Sequence, residues 1–316
     1  MSALAWLTQL LEVLAALALA PLFLGWVNQC RAWLQNRTAP SVLLPYRGIR
    51  KLFHKDAVIA ERASRLFRGA PYVVFGAMVA AAAIIPSMGT GLPFSSAADA
   101  IALVGLLAMA RVFLSLAAMD IGTAFGTLGA RREMMVGFLA EPALLMIIFV
   151  ASLISATTAL PLIAERLATQ APALYPSLAF TAVAFTMVLL AENARIPVDN
   201  PATHLELTMI HEAMLLEYSA RHLALMEWAA ALKLFNYACI GFALFLPWGA
   251  STSESGPAAL LLSVPVLVLK LLVAGVWLAL LETLSAKLRV FRAPEFLATA
   301  FLFAVLGLLV HVLLGA

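Results

Sequence analysis

The residues best suited to chemistry in this sequence are acidic, and they lie together in the segment 191–218, AENARIPVDNPATHLELTMIHEAMLLEY. The segment holds five of the chain's 17 carboxylates and two of its five histidines, but only one strong base. Carboxylates and imidazoles can exchange protons near neutral pH when their surroundings shift their pKa values. The segment therefore favours proton transfer, with a solvated loop as the alternative. Its acids are Glu192, Asp199, Glu206, Glu212 and Glu217, its histidines are His204 and His211, and its base is Arg195.

Metal binding by the same segment is not expected. A zinc helix needs the HExxH pattern, and the sequence reads HEAML from His211 to Leu215. On a helix, His204 would lie about two turns, or some 10 Å, from His211. The two cysteines, Cys30 and Cys239, form no CxxC pair, so neither an iron–sulfur cluster nor a cysteine-based zinc site is predicted in this chain.

The backbone of the acidic segment has two predicted parts. Pro197 and Pro201 exclude a continuous helix at its start, so IPVDNP is predicted to be a stiff extended turn. A helix is predicted from about Ala202. On that helix the two histidines share one side, and Glu206 and Glu217 share a nearly opposite side. One face would contact a partner and the other would line a wet cavity.

The composition indicates what surrounds this segment. Of the 316 residues, 64% are hydrophobic and 12% are charged, and the mean hydropathy is +0.99. Soluble domains carry about 25% charged residues, so a chain this apolar is expected in lipid. The predicted fold class is an all-α polytopic membrane protein with amphipathic helices in its loops. The net charge of +3 is too small to indicate nucleic acid as a partner.

Apolar runs of about 20 residues predict eight transmembrane helices in a single domain, 1–316. Sixteen of the 20 Lys and Arg residues fall in four alternate loops, and one, Arg166, falls in the loops between them. The positive-inside rule then places both termini outside, in the periplasm, and the basic loops in the cytoplasm. The basic loops are 28–69, 119–139, 194–223 and 282–293, and the spans are about 3–27, 70–88, 100–118, 140–160, 176–193, 224–247, 259–281 and 294–314.

The segment 46–68, YRGIRKLFHKDAVIAERASRLFR, mixes bases with apolar residues. It is interpreted as a basic helix at the lipid headgroups, whose long side chains reach towards water. A docking surface for a cytoplasmic partner is the second interpretation, and the two are compatible.

Charged residues also occur within the spans. Arg111, Lys233 and Lys270 lie inside predicted spans, and Glu282 lies at the end of one. A charge at mid-membrane costs about 2.5–3.5 kcal/mol on insertion scales, so each of these residues is expected to pair internally or to touch water. Structural ion pairing and a proton relay are both open for Lys270, whereas a structural role is preferred for Lys233 and Glu282.

Three blocks of this chain resemble a known family. AENARIPVDNP (191–201) is similar to the AETNRAPFDLP motif of the subunit-1 family of respiratory complex I. LGARREMMVGFLAEP (128–142) resembles the family's LGALRAAAQMISYEVP, and LLPYRGIRKLFHKD (43–56) resembles its LQPLADAIKLFFKE. The resemblance covers essentially the whole chain. The matching residues in the first two blocks are Glu192, Arg195, Pro197, Asp199 and Pro201, and then Arg132 and Glu141.

The departures from that family indicate a branch within it. Complex I subunits carry acids just after the DLP of the motif, where this chain has Ala202 and His204. The form NPATHLELTMIHEAM (200–214) resembles the branch found in membrane-bound group 4 [NiFe] hydrogenases, of the formate hydrogenlyase and hydrogenase-4 type. That branch needs no quinone, so the resemblance puts quinone binding by this chain in doubt.

The resemblance implies an anchor in the bacterial cytoplasmic (inner) membrane that couples hydrogenase chemistry to proton translocation. It implies no cofactor and no catalytic residue in this chain, with the NiFe centre and the iron–sulfur clusters on partner subunits. The implied partners are the peripheral [NiFe] hydrogenase large and small subunits, a ferredoxin-like iron–sulfur subunit and antiporter-like membrane subunits. The predicted relay comprises Glu141, Glu192, Asp199, Glu206, Glu217, His204, His211, Arg111 and Lys270, and Arg132, Arg195, Pro197 and Pro201 are predicted to shape the motif.

Three alternatives remain open from the sequence. The chain could be the quinone-site subunit of a complex I-type NADH dehydrogenase. It could also be a passive anchor without proton transfer. A stand-alone transporter is the least favoured, because the sequence shows no inverted repeat of the kind that such folds use.

Overall fold

Helices form every long element in the part of the chain that the structure describes, which is residues 3–60, 63–91, 93–94, 99–169, 175–199, 209–251 and 257–314. In this computed structural model the described residues form eleven α-helices, and the predicted all-α class is confirmed. The helices are α1 (Ala3–Leu34), α2 (Leu44–Phe53), α3 (Arg65–Ile84), α4 (Ala100–Asp120), α5 (Ala124–Ser155), α6 (Leu160–Thr169), α7 (Pro176–Glu192), α8 (His211–Leu215), α9 (Ala220–Phe245), α10 (Pro257–Leu284) and α11 (Ala293–Leu314).

Seven of these helices are long and apolar enough to cross a membrane, namely α1, α3, α4, α5, α9, α10 and α11. The apolar helix α7 is shorter, with 17 residues, and it coincides with the predicted span 176–193. At 1.5 Å per residue α7 is about 26 Å long, close to the 30 Å of a bilayer's hydrocarbon core. The chain is therefore a multi-pass membrane protein, as predicted, and we count α7 as the eighth span.

Helix α5 is longer than the sequence indicates. The sequence predicts a loop at 119–139 and a span at 140–160, but α5 begins at Ala124 and runs for 32 residues. Its first half mixes charges with strong helix formers such as Ala, Leu, Arg, Glu and Met, so a hydropathy window misses a helix that local propensity favours. The connection from α4 is only residues 121–123, where Gly122 adopts a φ of 73° that side chains disfavour. At about 48 Å, α5 exceeds the hydrocarbon thickness, so its first turns reach beyond it.

The helix predicted from about Ala202 is seen only in its later part. Residues 200–208, which include Pro201, His204 and Glu206, lie outside the described residues. After them α8 covers only His211–Leu215, and the chain turns before α9 begins.

The turn before α9 is tied to the segment that leads into α3. The Tyr218 hydroxyl donates to the Phe67 carbonyl at 3.1 Å, and the two rings stack with centroids 4.1 Å apart. Burial, with a smaller contribution from the Asp120 carboxylate, raises the pKa of Tyr218. The Ser219 hydroxyl donates to the Val58 carbonyl at 2.6 Å and accepts from the same residue's amide at 3.0 Å. These contacts fix the loops on the side of the bundle that carries α2 and α8, which we call the α2 side.

The spanning helices pack closely because small residues lie at their crossings. At Gly307 in α11, a Cβ would lie 2.7 Å from the Thr181 side chain of α7. A small residue also lets the short helix α8 approach a span: at Gly129 in α5, a Cβ would lie 2.8 Å from the Ile210 carbonyl beside α8. Small residues allow backbones in lipid to approach each other and so maximise van der Waals contact.

One helix is packed differently: α10 lies along α1 and makes little contact with α9.

Candidate functional site

Arg111 in α4 lies at the centre of a buried cluster of charges. Its side chain is 5% exposed, and its Nη1 lies 2.8 Å from Oε1 of Glu141. Its Nη2 donates to Oε1 of Glu192, a carboxylate that is 1% exposed. Its Nε lies 3.7 Å from Oε1 of Glu133. A single guanidinium is therefore surrounded by carboxylates from α5 and from the end of α7.

Helix α5 presents two of these carboxylates on one face. Glu133, Gly137 and Glu141 are spaced by four residues, so they lie above one another. A Cβ at Gly137 would overlap the Arg111 side chain, with only 2.8 Å to its Cδ. The absence of a side chain at this position is what lets the guanidinium cross α5 between the two glutamates.

Helix α9 supplies a second cation to the same cluster. Lys233 Nζ lies 2.9 Å from Oε2 of Glu192, so that carboxylate is held between two positive groups. Tyr237, one turn further along α9 and fully buried, lies close to Glu192 as well. We name the group the Arg111 cluster, and its two cations and three carboxylates leave one formal negative charge: Arg111, Lys233, Glu133, Glu141 and Glu192.

A second group of ion pairs, formed around Glu282, lies beside the Arg111 cluster. Glu282 near the end of α10 is fully buried, and its Oε1 lies 3.0 Å from Arg195 Nη1. Its Oε2 lies 3.3 Å from Nη1 of Arg31 in α1. Two cations share this carboxylate, so the group carries one formal positive charge. The Pro197 carbonyl accepts from the Leu288 amide at 2.9 Å, which holds the proline turn against the end of α10.

A cavity of about 500 Å³ connects the two charged groups on the α2 side. Glu192 and Lys233 lie in its wall, together with Arg195 of the second group. His211 and Glu212 of α8 line it as well, so part of the acidic segment reaches the cavity. Helix α2 forms another part of the wall. Groups that can carry protons are therefore arranged around one space.

A smaller cavity of about 30 Å³ shares His211 and Lys233 with the larger one and is also lined by Arg111 and Glu133. A water needs about 10–15 Å³ of such space and two or more polar partners. This cavity meets both requirements, so water can bridge His211 to the Arg111 cluster.

The structure brings some of the predicted relay residues together. Arg111, Glu141 and Glu192 meet in one cluster, as described above. Asp199 is buried, and its Oδ2 accepts from the His211 amide at 3.2 Å. The contact places both residues at the start of α8.

Other predicted relay residues lie apart from the Arg111 cluster, or they lie outside the described residues. Glu217 makes no ion pair with a described residue. Lys270 donates to the Leu246 carbonyl at 2.6 Å, at the end of α9 opposite the α2 side, and its described contacts include none of the relay carboxylates. His204 and Glu206 belong to the segment outside the described residues.

The predicted motif residues have clear structural contacts. Arg132 donates to the Met209 carbonyl at 2.7 Å, which ties α5 to the chain before α8. Arg195 pairs with Glu282 as described above. Pro201 lies outside the described residues.

Sequence reasoning missed Glu133, and it placed Lys233 and Glu282 outside the relay. One signal could have identified Glu133: it precedes Glu141 by eight residues, which on a helix places the two about 80° apart, within one broad face. No comparable local signal joins Arg31 to a carboxylate far along the chain. The expectation that Arg111, Lys233, Lys270 and Glu282 pair internally or touch water agrees with all their contacts.

Cofactor ligands are scarce in the part of the chain that the structure describes. There, no group of three or more His, Cys, Asp or Glu side chains is placed to hold a metal ion. Cys30 and Cys239 are buried free thiols.

Comparisons with known proteins show the family to which this chain belongs. The sequence profile of the NADH dehydrogenase family matches residues 8–313. The chain is 33% identical over 303 residues to formate hydrogenlyase subunit 4 of Escherichia coli (strain K12), covering 94% of this chain and 96% of that protein. It is 36% identical over 280 residues to hydrogenase-4 component C of the same strain, covering 88% and 87%.

A solved structure shares the fold. A chain of the membrane-bound sulfane sulfur reductase (MBS), an archaeal respiratory membrane complex, superposes with a TM-score of 0.83. The match covers 96% of this chain and 98% of that chain at 19% sequence identity. At this identity the likeness shows a common arrangement of helices.

Proposed function

Because this chain belongs to the NADH dehydrogenase family, we propose that it is an inner-membrane subunit of a group 4 [NiFe] hydrogenase complex of the formate hydrogenlyase type. The identity to formate hydrogenlyase subunit 4 and to hydrogenase-4 component C over most of the chain supports this assignment. The NiFe centre and the iron–sulfur clusters would reside on the peripheral large and small subunits and on a ferredoxin-like subunit. Antiporter-like membrane subunits would complete the complex.

The observation that carries a coupling role is the Arg111 cluster beside the cavity. Its three carboxylates share one guanidinium, so a proton taken up by one of them lets Arg111 pair more closely with the others. Glu141 is the most accessible of the three, with its side chain 33% exposed. Glu192, buried between two cations, is the member that faces the large cavity. Proton uptake and rearrangement of the ion pairs are thus linked.

A redox partner docked on the α2 side could drive that rearrangement. One unit charge at 4 Å is worth about 4 kcal/mol at an effective dielectric of 20, or about three pKa units. If an iron–sulfur cluster of the partner were held at such a short distance, a change in its charge would be large enough to move a proton. In this scheme protons from the cytoplasm reach the Arg111 cluster through five residues of the acidic segment: Asp199, Glu206, Glu217, His204 and His211.

Lys270 would then serve the opposite end of the route. Its amine lies at the far end of α9 from the α2 side, which the predicted topology puts towards the periplasmic face of the membrane. Release of protons to the periplasm would occur on that side of the bundle.

Glu192→Gln tests the coupling role. The amide keeps the shape and can still accept hydrogen bonds, but it removes the charge between Arg111 and Lys233. We expect the purified complex, reconstituted in vesicles, to keep hydrogen turnover with an artificial electron carrier and to lose hydrogen-linked proton movement. A pH-sensitive dye in the vesicle lumen measures that movement.

The matched control is Glu295→Gln, the same change at an exposed carboxylate on α11 away from the cavity. It should leave proton movement unchanged. A normal proton gradient with Glu192→Gln would contradict the relay and would favour a passive anchor.

The cavity favours one other function, a quinone site. Its volume of about 500 Å³ falls within the range of about 300–1,000 Å³ typical of small-molecule sites. A quinone-site inhibitor that slows turnover of the purified complex would support that alternative, and the absence of any effect supports the hydrogenase assignment.

A further inference from the structure

An apolar groove of about 620 Å³ runs along the membrane-spanning part of the bundle, apart from the Arg111 cluster. It lies between α7, α9 and α10, with Phe23 of α1 in its wall. The groove exists because α10 packs along α1 and barely meets α9, so two neighbouring spans diverge. Its volume is within the range of about 300–1,000 Å³ found for ligand sites.

The groove has the polarity of a lipid chain along nearly all its length. Phe185, Phe242, Phe245 and Leu278 are representative of its wall. From Lys270 to Leu281, α10 rises about 16 Å, roughly half of the 30 Å hydrocarbon core. An extended apolar chain lying parallel to the helices suits this shape.

One end of the groove differs from the rest. Among the described residues of its wall, Lys270 is the one that carries a charge. Its Nζ donates to the Leu246 carbonyl at 2.6 Å and lies 5.8 Å from the Phe242 ring centroid, which leaves two further N–H donors. Trp248 lines the same end and Trp277 lies deeper, both about half exposed. Tryptophan is typical of the boundary between hydrocarbon and headgroups.

We propose that this groove is a binding site for one anionic phospholipid, with an acyl chain between α7, α9 and α10 and its phosphate on Lys270. The ammonium meets a phosphate by a charge-assisted hydrogen bond, which is stronger than the bond to a neutral carbonyl. The lipid fills the gap that α10 leaves and so connects α10 to the rest of the bundle. The lipid site can be tested without the hydrogenase assignment, although Leu234 lines both the groove and the large cavity and Lys270 also ends the proposed proton route.

Quenching of tryptophan fluorescence by brominated lipid tests the site. The purified protein, with whatever subunits accompany it, is titrated in mixed micelles with brominated phosphatidylglycerol or brominated phosphatidylcholine. We expect a saturable quenched component at low mole fraction of phosphatidylglycerol, absent from the Trp248→Phe/Trp277→Phe variant. Lys270→Met should raise the half-saturating mole fraction about tenfold, as loss of a charge-assisted bond predicts, and Lys270→Arg should restore it.

A blocking variant and its control keep the test independent of Lys270. Ala274→Phe places a ring in the groove and should abolish the component, whereas Ala298→Phe, on α11 outside the groove, should not. Equal saturation with phosphatidylcholine would overturn the preference for an anionic headgroup. Absence of the saturable component would overturn the proposal, and a cross-link from Val273→Cys to a neighbouring subunit would then show that the groove holds a protein helix.

Discussion

Three carboxylates share one guanidinium at the Arg111 cluster, and this ratio determines what the cluster can do. In a buried pair of one arginine and one carboxylate, protonation of the carboxylate leaves the arginine unpaired. A site with excess carboxylate can accept a proton and keep the arginine paired. Lys233 offsets part of the excess at Glu192, the most deeply buried of the three acids. The cluster is therefore held together by Coulomb attraction, and it contains one carboxylate more than its two cations neutralise.

Gly137→Ala tests how closely Arg111 is fitted to α5. The new Cβ would overlap the guanidinium, so Arg111 must move away from the two glutamates beside it. Disrupting buried ion pairs costs about 3–5 kcal/mol, and we expect a correspondingly lower unfolding temperature in detergent.

Gly105→Ala is the control for that substitution. Gly105 lies in α4, the helix that carries Arg111, and a Cβ there meets nothing within 4 Å. It should stabilise the protein slightly, by up to about 1 kcal/mol, through helix propensity. Equal unfolding temperatures for the two variants would show that Arg111 has room to relax.

At the scale of elements, the short helix α8 and its flanking turns join three spans. Arg132 connects α5 to the chain before α8, and Tyr218 connects the turn after α8 to α3. Asp199, in the turn that follows α7, accepts a hydrogen bond from the His211 amide at the start of α8. The described loop residues Asp199, His211 and Tyr218 are thereby held against the spanning helices.

Tyr218→Phe tests the connection to α3. It removes the hydrogen bond to the Phe67 carbonyl, and we expect a loss of about 0.5–1.5 kcal/mol near neutral pH. Because burial raises the pKa of Tyr218, the folded protein holds this proton more tightly than the unfolded chain does. That stabilisation is complete below the ordinary tyrosine pKa of about 10 and is lost as the pH rises above it.

The measurement is the unfolding temperature in detergent between about pH 9 and pH 11. The wild-type protein should lose more stability over this window than Tyr218→Phe does. Tyr72→Phe, at a tyrosine 52% exposed on α3, should behave as the wild type. Parallel pH profiles for wild type and Tyr218→Phe would refute the connection.

At the scale of the whole molecule, the α2 side combines the large cavity with exposed positive charge. Arg47, Arg50 and Lys51 of α2 are exposed, while Ile49 is buried against the bundle. Burial raises the pKa of Tyr46, whose hydroxyl donates to the Ala18 carbonyl of α1 and anchors the helix. A basic helix held against the spanning bundle can contact headgroups and a docked partner at once, so both interpretations of the 46–68 segment stay open.

Arg47→Gln/Arg50→Gln tests docking on this face. If the peripheral arm binds there, the variant should release it at lower ionic strength than the wild type, because salt screens exposed charges within about 10 Å at 0.1 M. Co-purification of the hydrogenase subunits over a salt gradient measures this. Arg289→Gln/Arg292→Gln, in the loop between α10 and α11, should release the arm at the wild-type salt concentration.

The sequence by itself determined the fold class, the multi-pass membrane character and the family. These follow from properties that are local along the chain, namely apolar runs, proline positions and short motifs. It also indicated that Arg111, Lys233, Lys270 and Glu282 need internal partners, because the cost of a charge in lipid does not depend on which partner is found.

Only the tertiary structure shows which residues those partners are. The bonds of Arg111 to Glu141 and to Glu192 join residues 30 and 81 positions apart, and helix packing alone sets which faces meet. The same packing separated Lys270 from the relay carboxylates and left the groove beside α10. Pairing of charges depends on distances in space, which a pattern along one chain does not contain.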